Sequence, residues 1–179
     1  MARVVPSITA EPFGSLRGAS VERYTLANGG MQVRILTYGG IIQSLEVADR
    51  AGHLGNVSLS FGTLDEYIAG SPFLGALIGR FANRIAGGRF TLDGVTYEVP
   101  VNNGPNSLHG GLQGFDKRVW QASPVQGSDA VSLKLALLSP DGDQSYPARC
   151  LSRSPTRWPQ TMRCGWTIVR RRIDPPLST

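Results

Sequence analysis

The sequence predicts an all-β fold, an antiparallel sandwich or barrel. Three observations point there. Apolar residues alternate with polar ones at a period of two in several short runs. Glycine and proline are abundant, 22 and 12 of 179 residues, and follow no repeat, which favours many turns and short strands. Helical periodicity is confined to a single short segment. A hydrophobic content of 41% is enough for a packed core and argues against disorder. The length suits one domain, or two small ones. No run approaches the roughly 18 apolar residues that a membrane helix needs.

The elements follow in chain order. Met1 to Leu16 lacks the apolar stretch of a secretory signal, since Pro6, Thr9, Glu11 and Pro12 interrupt it, so the expected compartment is the cytoplasm. Met31, Val33 and Ile35 alternate with Gln32 and Arg34, a half-buried strand. Gly39-Gly40 breaks the chain, and Ile41 to Val47 reads as the next strand. Val57, Leu59 and Phe61 alternate with Ser58 and Ser60 and read as another. Thr63 to Ala69 carries the one helical signal. Arg89 to Val99 is the clearest hairpin, with Asp93-Gly94 as its link; both residues tolerate positive φ, as a type I′ turn requires. Trp120 to Val125 is expected to pair with Val131 to Leu137 across Gln126 to Asp129. Phe73 to Ile85 and Val101 to Gly114 fit no strand pattern and read as loops.

Charge divides the chain. The formal net charge is +5 and the sequence pI about 9.7. Residues 1–147 carry a net −1, while residues 148–179 hold seven arginines and one acid, a net +6. Both cysteines, Cys150 and Cys164, and two of the three tryptophans lie in that last stretch. Two cysteines do not make a disulfide framework. The expected organisation is a near-neutral body over 1–147 and a basic Arg/Pro-rich tail over 148–179, irregular in structure. Two accounts fit the tail: a frameshifted reading of the gene, or a real basic extension that meets an acidic partner. Specific nucleic-acid binding is not expected, because the body has no basic patch and the tail offers only salt-sensitive attachment. No membrane partner is expected.

Few residues can carry chemistry. His53 sits in the turn Ala51 to Gly55 and reads as an exposed turn residue. His109 lies in Asn106-Ser107-Leu108-His109-Gly110-Gly111, where the glycines let a ligand approach the backbone. From spacing alone it is either a ligand-binding residue or a structural hydrogen-bonder. Gly79 to Ile85 offers Arg80, Asn83 and Arg84, two donor forks and an amide suited to a hydroxyl-rich or anionic ligand. The alternative for these arginines is a surface ion pair or a loop staple. There is no P-loop, paired-cysteine motif, His-x-x-x-His pair or nucleophile elbow.

Gly79-Arg80-Phe81-Ala82-Asn83-Arg84-Ile85-Ala86-Gly87-Gly88-Arg89-Phe90 resembles the signature of the aldose 1-epimerases, or galactose mutarotases. Asn106 to Gly111 followed by Gly114 to Trp120 is similar to that family's histidine loop. Leu36 to Gly40 and Ser139 to Gln144 match its flanking segments. The resemblance covers roughly residues 20–147. It implies a β-sandwich of the galactose-mutarotase type, and anomer interconversion of free aldohexoses without metal or cofactor. It also implies that Asn83, Arg84 and His109 bind the sugar. In the family a histidine of a later motif is the acid that protonates the ring oxygen, and a glutamate near the C-terminus is the base. This sequence has no histidine after His109 and no glutamate after Glu98. No catalytic residue is therefore identifiable, and the resemblance implies a truncated, inactive chain.

Overall fold

The computed structural model describes residues 5–70, 72–128, 130–159, 165–166 and 169–173. Two antiparallel sheets face one another. The first runs in sequence order: β1 (Ser7–Leu16), β2 (Ala19–Ala27), β3 (Met31–Leu36), β4 (Ile42–Ala48) and β5 (Leu54–Asn56). A helix, α1 (Leu64–Gly70), follows, and then the site-bearing segment with four short strands. These are β6 (Arg84–Ile85), β7 (Arg89–Leu92), β8 (Val95–Glu98) and β9 (Ser107–Leu108). The second sheet contains β10 (Gln121–Gln126), β11 (Ala130–Ser139), β12 (Arg149–Pro159), β13 (Gly165–Trp166) and β14 (Val169–Ile173), with β12 at its branch point. Among the described residues no helix is long and apolar enough to cross a membrane.

The alternation read from the sequence becomes the core between the sheets. Tyr24 and Leu26 of β2, Val33 and Ile35 of β3, and Val131, Leu133 and Leu135 of β11 pack together, closed by Leu77, Phe115 and Trp120. A second cluster on the outer face of the first sheet joins Val21, Leu36, Tyr38 and Ile41 to Leu64 and Tyr67 of α1. That helix starts on a capping box: Thr63 Oγ1 accepts from the Glu66 amide at 3.3 Å, and Glu66 Oε2 accepts from the Thr63 amide at 2.9 Å. The Asp93-Gly94 hairpin has the expected turn, with φ of 53° and 77° at its two residues.

Three departures from the sequence reading have physical causes. Strands β1 and β2 are present although the N-terminal segment shows no clear alternation: a bulge between Pro12 and Gly14 shifts the register of β1 against β2. The strand expected over Val57 to Phe61 stops at Asn56. The Asn56 side-chain oxygen takes the Leu45 amide at 3.1 Å and the Ser58 amide at 3.1 Å, so that after the Val57 amide bonds the Leu45 carbonyl at 2.9 Å the ladder ends, and Val57 and Leu59 are left exposed. The irregular tail expected from position 148 is, over Arg149–Pro159, a strand in continuous register with β11, from Ala130↔Pro159 to Ser139↔Cys150. The free edge of β11 pairs backbone to backbone, which demands no apolar pattern. Ser152 and Ser154, opposite Leu137 and Leu135, occupy inward positions and are buried, so the strand has no hydrophobic alternation to read. Cys150 is a free thiol; Cys164 lies outside the described residues.

Candidate functional site

Two loops from the middle of the chain meet at the rim of the sandwich. The first runs from Gly79 to Ile85 and the second from Asn102 to Phe115. They are joined by the short ladder of β6 and β9, Arg84 opposite Leu108 and Ile85 opposite Ser107. Glycine allows the closest approach. A β carbon on Gly110, where φ is 91°, would lie 1.9 Å from the Gly79 carbonyl oxygen. A β carbon on Gly79 would lie 2.3 Å from the Phe115 ring.

At this junction Asn83 and His109 hold each other. The Asn83 backbone amide donates to His109 Nδ1 at 3.0 Å, and the His109 backbone amide donates to the Asn83 backbone carbonyl at 3.0 Å. Since Nδ1 is an acceptor, the proton of the neutral imidazole sits on Nε2, which becomes a donor. Both residues have left-handed backbones, φ 66° and 54°, an uncommon state for a side-chain-bearing residue. Beside them Arg84 donates from Nε to Asn103 Oδ1 at 2.8 Å and from Nη1 to Asn83 Oδ1 at 3.4 Å. The three residues read from the sequence are thus brought together. Asn83 and Arg84 are exposed and His109 half-buried, leaving the outer guanidinium edge, the side-chain Nδ2 of Asn83 and His109 Nε2 for a ligand rich in oxygens. His53 stands apart, exposed in its turn beside Asp49.

The two arginines of the first loop have opposite roles. Arg80 is the staple. Its guanidinium donates to Ser139 Oγ at 2.8 Å, and to the carbonyls of Ser139 at 2.9 Å, Pro147 at 2.8 Å and Ala148 at 2.6 Å, with Pro140 also in contact. It ties the loop to the end of β11 and to the segment leading into β12. Burial pulls its pKa below the ordinary guanidinium value.

Several supporting residues were not singled out by the sequence reading. Asn102 donates to the Leu108 and Gly111 carbonyls, each at 2.9 Å, and accepts from the Leu108 amide at 2.6 Å, fixing the histidine loop. Phe73 meets the His109 ring edge to face, centroids 4.7 Å apart. Asp116 is buried behind the loop, and its Oδ1 has no hydrogen-bond partner among the described residues. Burial raises its pKa, opposed by Lys117, whose Nζ stands 3.9 Å away, and by His109. The asparagine richness of Val101 to Gly114 is a visible cue for Asn102 and Asn103, and Asp116 falls within the matching segment Gly114 to Trp120, though with no role read for it; nothing local marked Phe73.

Comparison with known proteins agrees on one family. The family description "Aldose 1-epimerase" matches residues 22–153. Galactose mutarotase of Sus scrofa is 43% identical over 143 residues, covering 79% of this chain and 41% of that protein. Aldose 1-epimerase of Escherichia coli (strain K12) is 42% identical over 120 residues, covering 67% of this chain and 34% of that protein. Among solved structures, galactose 1-epimerase from Lactobacillus acidophilus NCFM superposes with a TM-score of 0.81 at 26% identity, over 90% of this chain and 47% of that one. The chain therefore spans less than half the length of these relatives. The long family match, the shared sandwich and the ordered motifs around Asn83, Arg84 and His109 place it in the aldose 1-epimerase family.

Proposed function

We propose that the site binds a free aldohexose such as glucose or galactose, the substrate whose α and β anomers the complete family enzyme interconverts by acid–base ring opening. The observation that carries this reading is the mutual lock of Asn83 and His109 beside Arg84. It aims an Nε2–H, an amide and a guanidinium edge outward from one rim. Such a set matches adjacent sugar hydroxyls, which both donate and accept. Ring opening needs a base on the anomeric hydroxyl and an acid on the ring oxygen. These 179 residues supply neither a histidine after His109 nor a glutamate after Glu98, which supports a chain that holds sugar without turning it over. The second reading, a non-catalytic carbohydrate-binding module, rests on that same lack.

The experiment pairs polarimetry of freshly dissolved α-D-galactose with NMR titration of the purified chain. The expected result is sugar-dependent shifts at Asn83, Arg84 and His109 with rotation changing only at the buffer rate. Arg84→Ala should weaken binding about tenfold or more, the worth of charge-assisted hydrogen bonds. Acceleration above the buffer rate would refute the inactive reading; absence of any shift would refute the sugar site.

The tail is proposed to be a frameshifted continuation. Support comes from the jump in charge after Pro147 and from the inward serines, where Ser154 Oγ is buried without a partner among the described residues. Local chemistry and packing conflict there. Translating the nucleotide sequence after codon 147 in the other two frames tests it. A late histidine motif and glutamate are expected in one frame, and their absence from both rejects the proposal.

A further inference from the structure

Left-handed backbone at a residue with a side chain is unfavourable, and it persists where surrounding structure enforces it, often at functional sites. Among the described residues, three such positions meet at His109 (φ 54°), which contacts both Phe73 (φ 65°) and Asn83 (φ 66°). The last two belong to the sugar-binding reading; Phe73 does not.

Phe73 is fixed to the rigid part of the fold. Its carbonyl accepts from the Ala76 amide at 3.2 Å, the Gly75 carbonyl accepts from the Ile42 amide of β4 at 3.0 Å, and the Leu77 amide donates to the Gly39 carbonyl at 2.9 Å. Gly75, φ 65°, lies so close to β4 that a β carbon would come within 2.4 Å of the Ile42 carbonyl oxygen. The Phe73 ring therefore stands on the sheet, not on the loop that carries His109. It meets the imidazole at 73° between ring planes, the edge-to-face arrangement that aromatic pairs prefer.

Among the described residues the His109 side chain has one hydrogen bond, from the Asn83 backbone amide to Nδ1. A single bond restrains Nδ1 but still lets the side chain shift by coupled rotation about χ1 and χ2. The edge contact with Phe73 removes that freedom. We propose that Phe73 is a positioning residue: it sets the plane of the His109 imidazole, so that Nε2–H points to one place and Nδ1 stays on the Asn83 amide. The proposal rests on the reading of His109 as a sugar ligand, and deepens it.

The test uses the full 179-residue chain as wild type, Phe73→Leu, Phe73→Met and Phe73→Tyr. Long-range ¹H–¹⁵N spectra of the ligand-free chain read the His109 tautomer, and titration with galactose reads affinity. Wild type should show Nδ1 unprotonated and Nε2 protonated. Phe73→Leu should drift toward mixed tautomers and bind galactose about two- to tenfold more weakly, the range an aromatic pair contributes. Phe73→Tyr should restore both. Thermal melts accompany each variant; if Phe73→Leu melts early, Phe73→Met, closer in volume, carries the comparison. Unchanged tautomer and affinity in a folded variant would overturn the proposal. A wild type that shows the tautomer shift with Phe73→Leu but binds no galactose would refute the sugar reading and leave the positioning role standing.

Discussion

Replacing Gly110 by alanine adds one carbon at the tightest point of the site. That carbon would lie 1.9 Å from the Gly79 carbonyl oxygen, 2.5 Å from its carbonyl carbon and 2.8 Å from the Arg80 nitrogen. Ordinary carbon–oxygen contact begins above 3 Å, so the two loops must part by about 1 Å or more. The neighbours are backbone atoms, which cannot swing aside like a side-chain tip. Two penalties add. Holding alanine at φ 91° costs about 1–3 kcal/mol, and forcing the loops apart costs about 1–3 kcal/mol more. The expected loss is thus about 2–6 kcal/mol, read as a lower midpoint in urea unfolding. Parting the loops also stretches the 3.0 Å bonds between Asn83 and His109, so galactose-induced shifts should vanish at accessible concentrations. Gly104 supplies the control. Its φ is 57°, yet a β carbon there would meet nothing within 4 Å, so Gly104→Ala should show the backbone penalty alone and keep sugar binding. If Gly110→Ala and Gly104→Ala prove equally stable and bind galactose alike, the steric argument for the junction is wrong.

Other expectations follow from the same geometry. Arg80→Lys should destabilise the chain by about 2–4 kcal/mol in urea unfolding, since one ammonium cannot reach the spread of acceptors from Ser139 to Ala148, and buried carbonyls lose their donors. A midpoint within error of wild type would refute the staple role. Asp116→Asn should change the pH dependence of stability. Burial holds the folded pKa of Asp116 above its unfolded value near 3.9, so the folded state binds the proton more tightly. Stability is then greatest below the unfolded pKa and is lost as pH rises through the folded one. The variant should therefore gain on wild type in melts as pH rises above the unfolded value, and parallel profiles would contradict this. Leu133→Ala, fully buried between the sheets, should cost about 2–5 kcal/mol in the same unfolding assay; a loss below 1 kcal/mol would mean that the two sheets are not packed as described.

Much of the fold was legible in the order of the residues. Period-two alternation marked β3 and β11, because a half-buried strand needs only local information. Asp93-Gly94 announced its turn, because two consecutive positive φ values demand such residues. The ordered motifs marked which loops carry Asn83, Arg84 and His109. What each arginine does was decided only by the tertiary structure. Arg80 and Arg84 sit four residues apart, yet one is enclosed by the carbonyls of a distant segment and the other faces outward. Phe73, which lies far from His109 in sequence, meets it only because the Phe73 turn docks on β4. Asn56 ended a strand by hydrogen bonds that alternation does not encode, and β11 drew Arg149–Pro159 into a strand through its free edge. Strand pattern is a property of neighbours in the chain. Site geometry is a property of neighbours in space, and here glycines permit the close approach and long-range backbone bonds fix it.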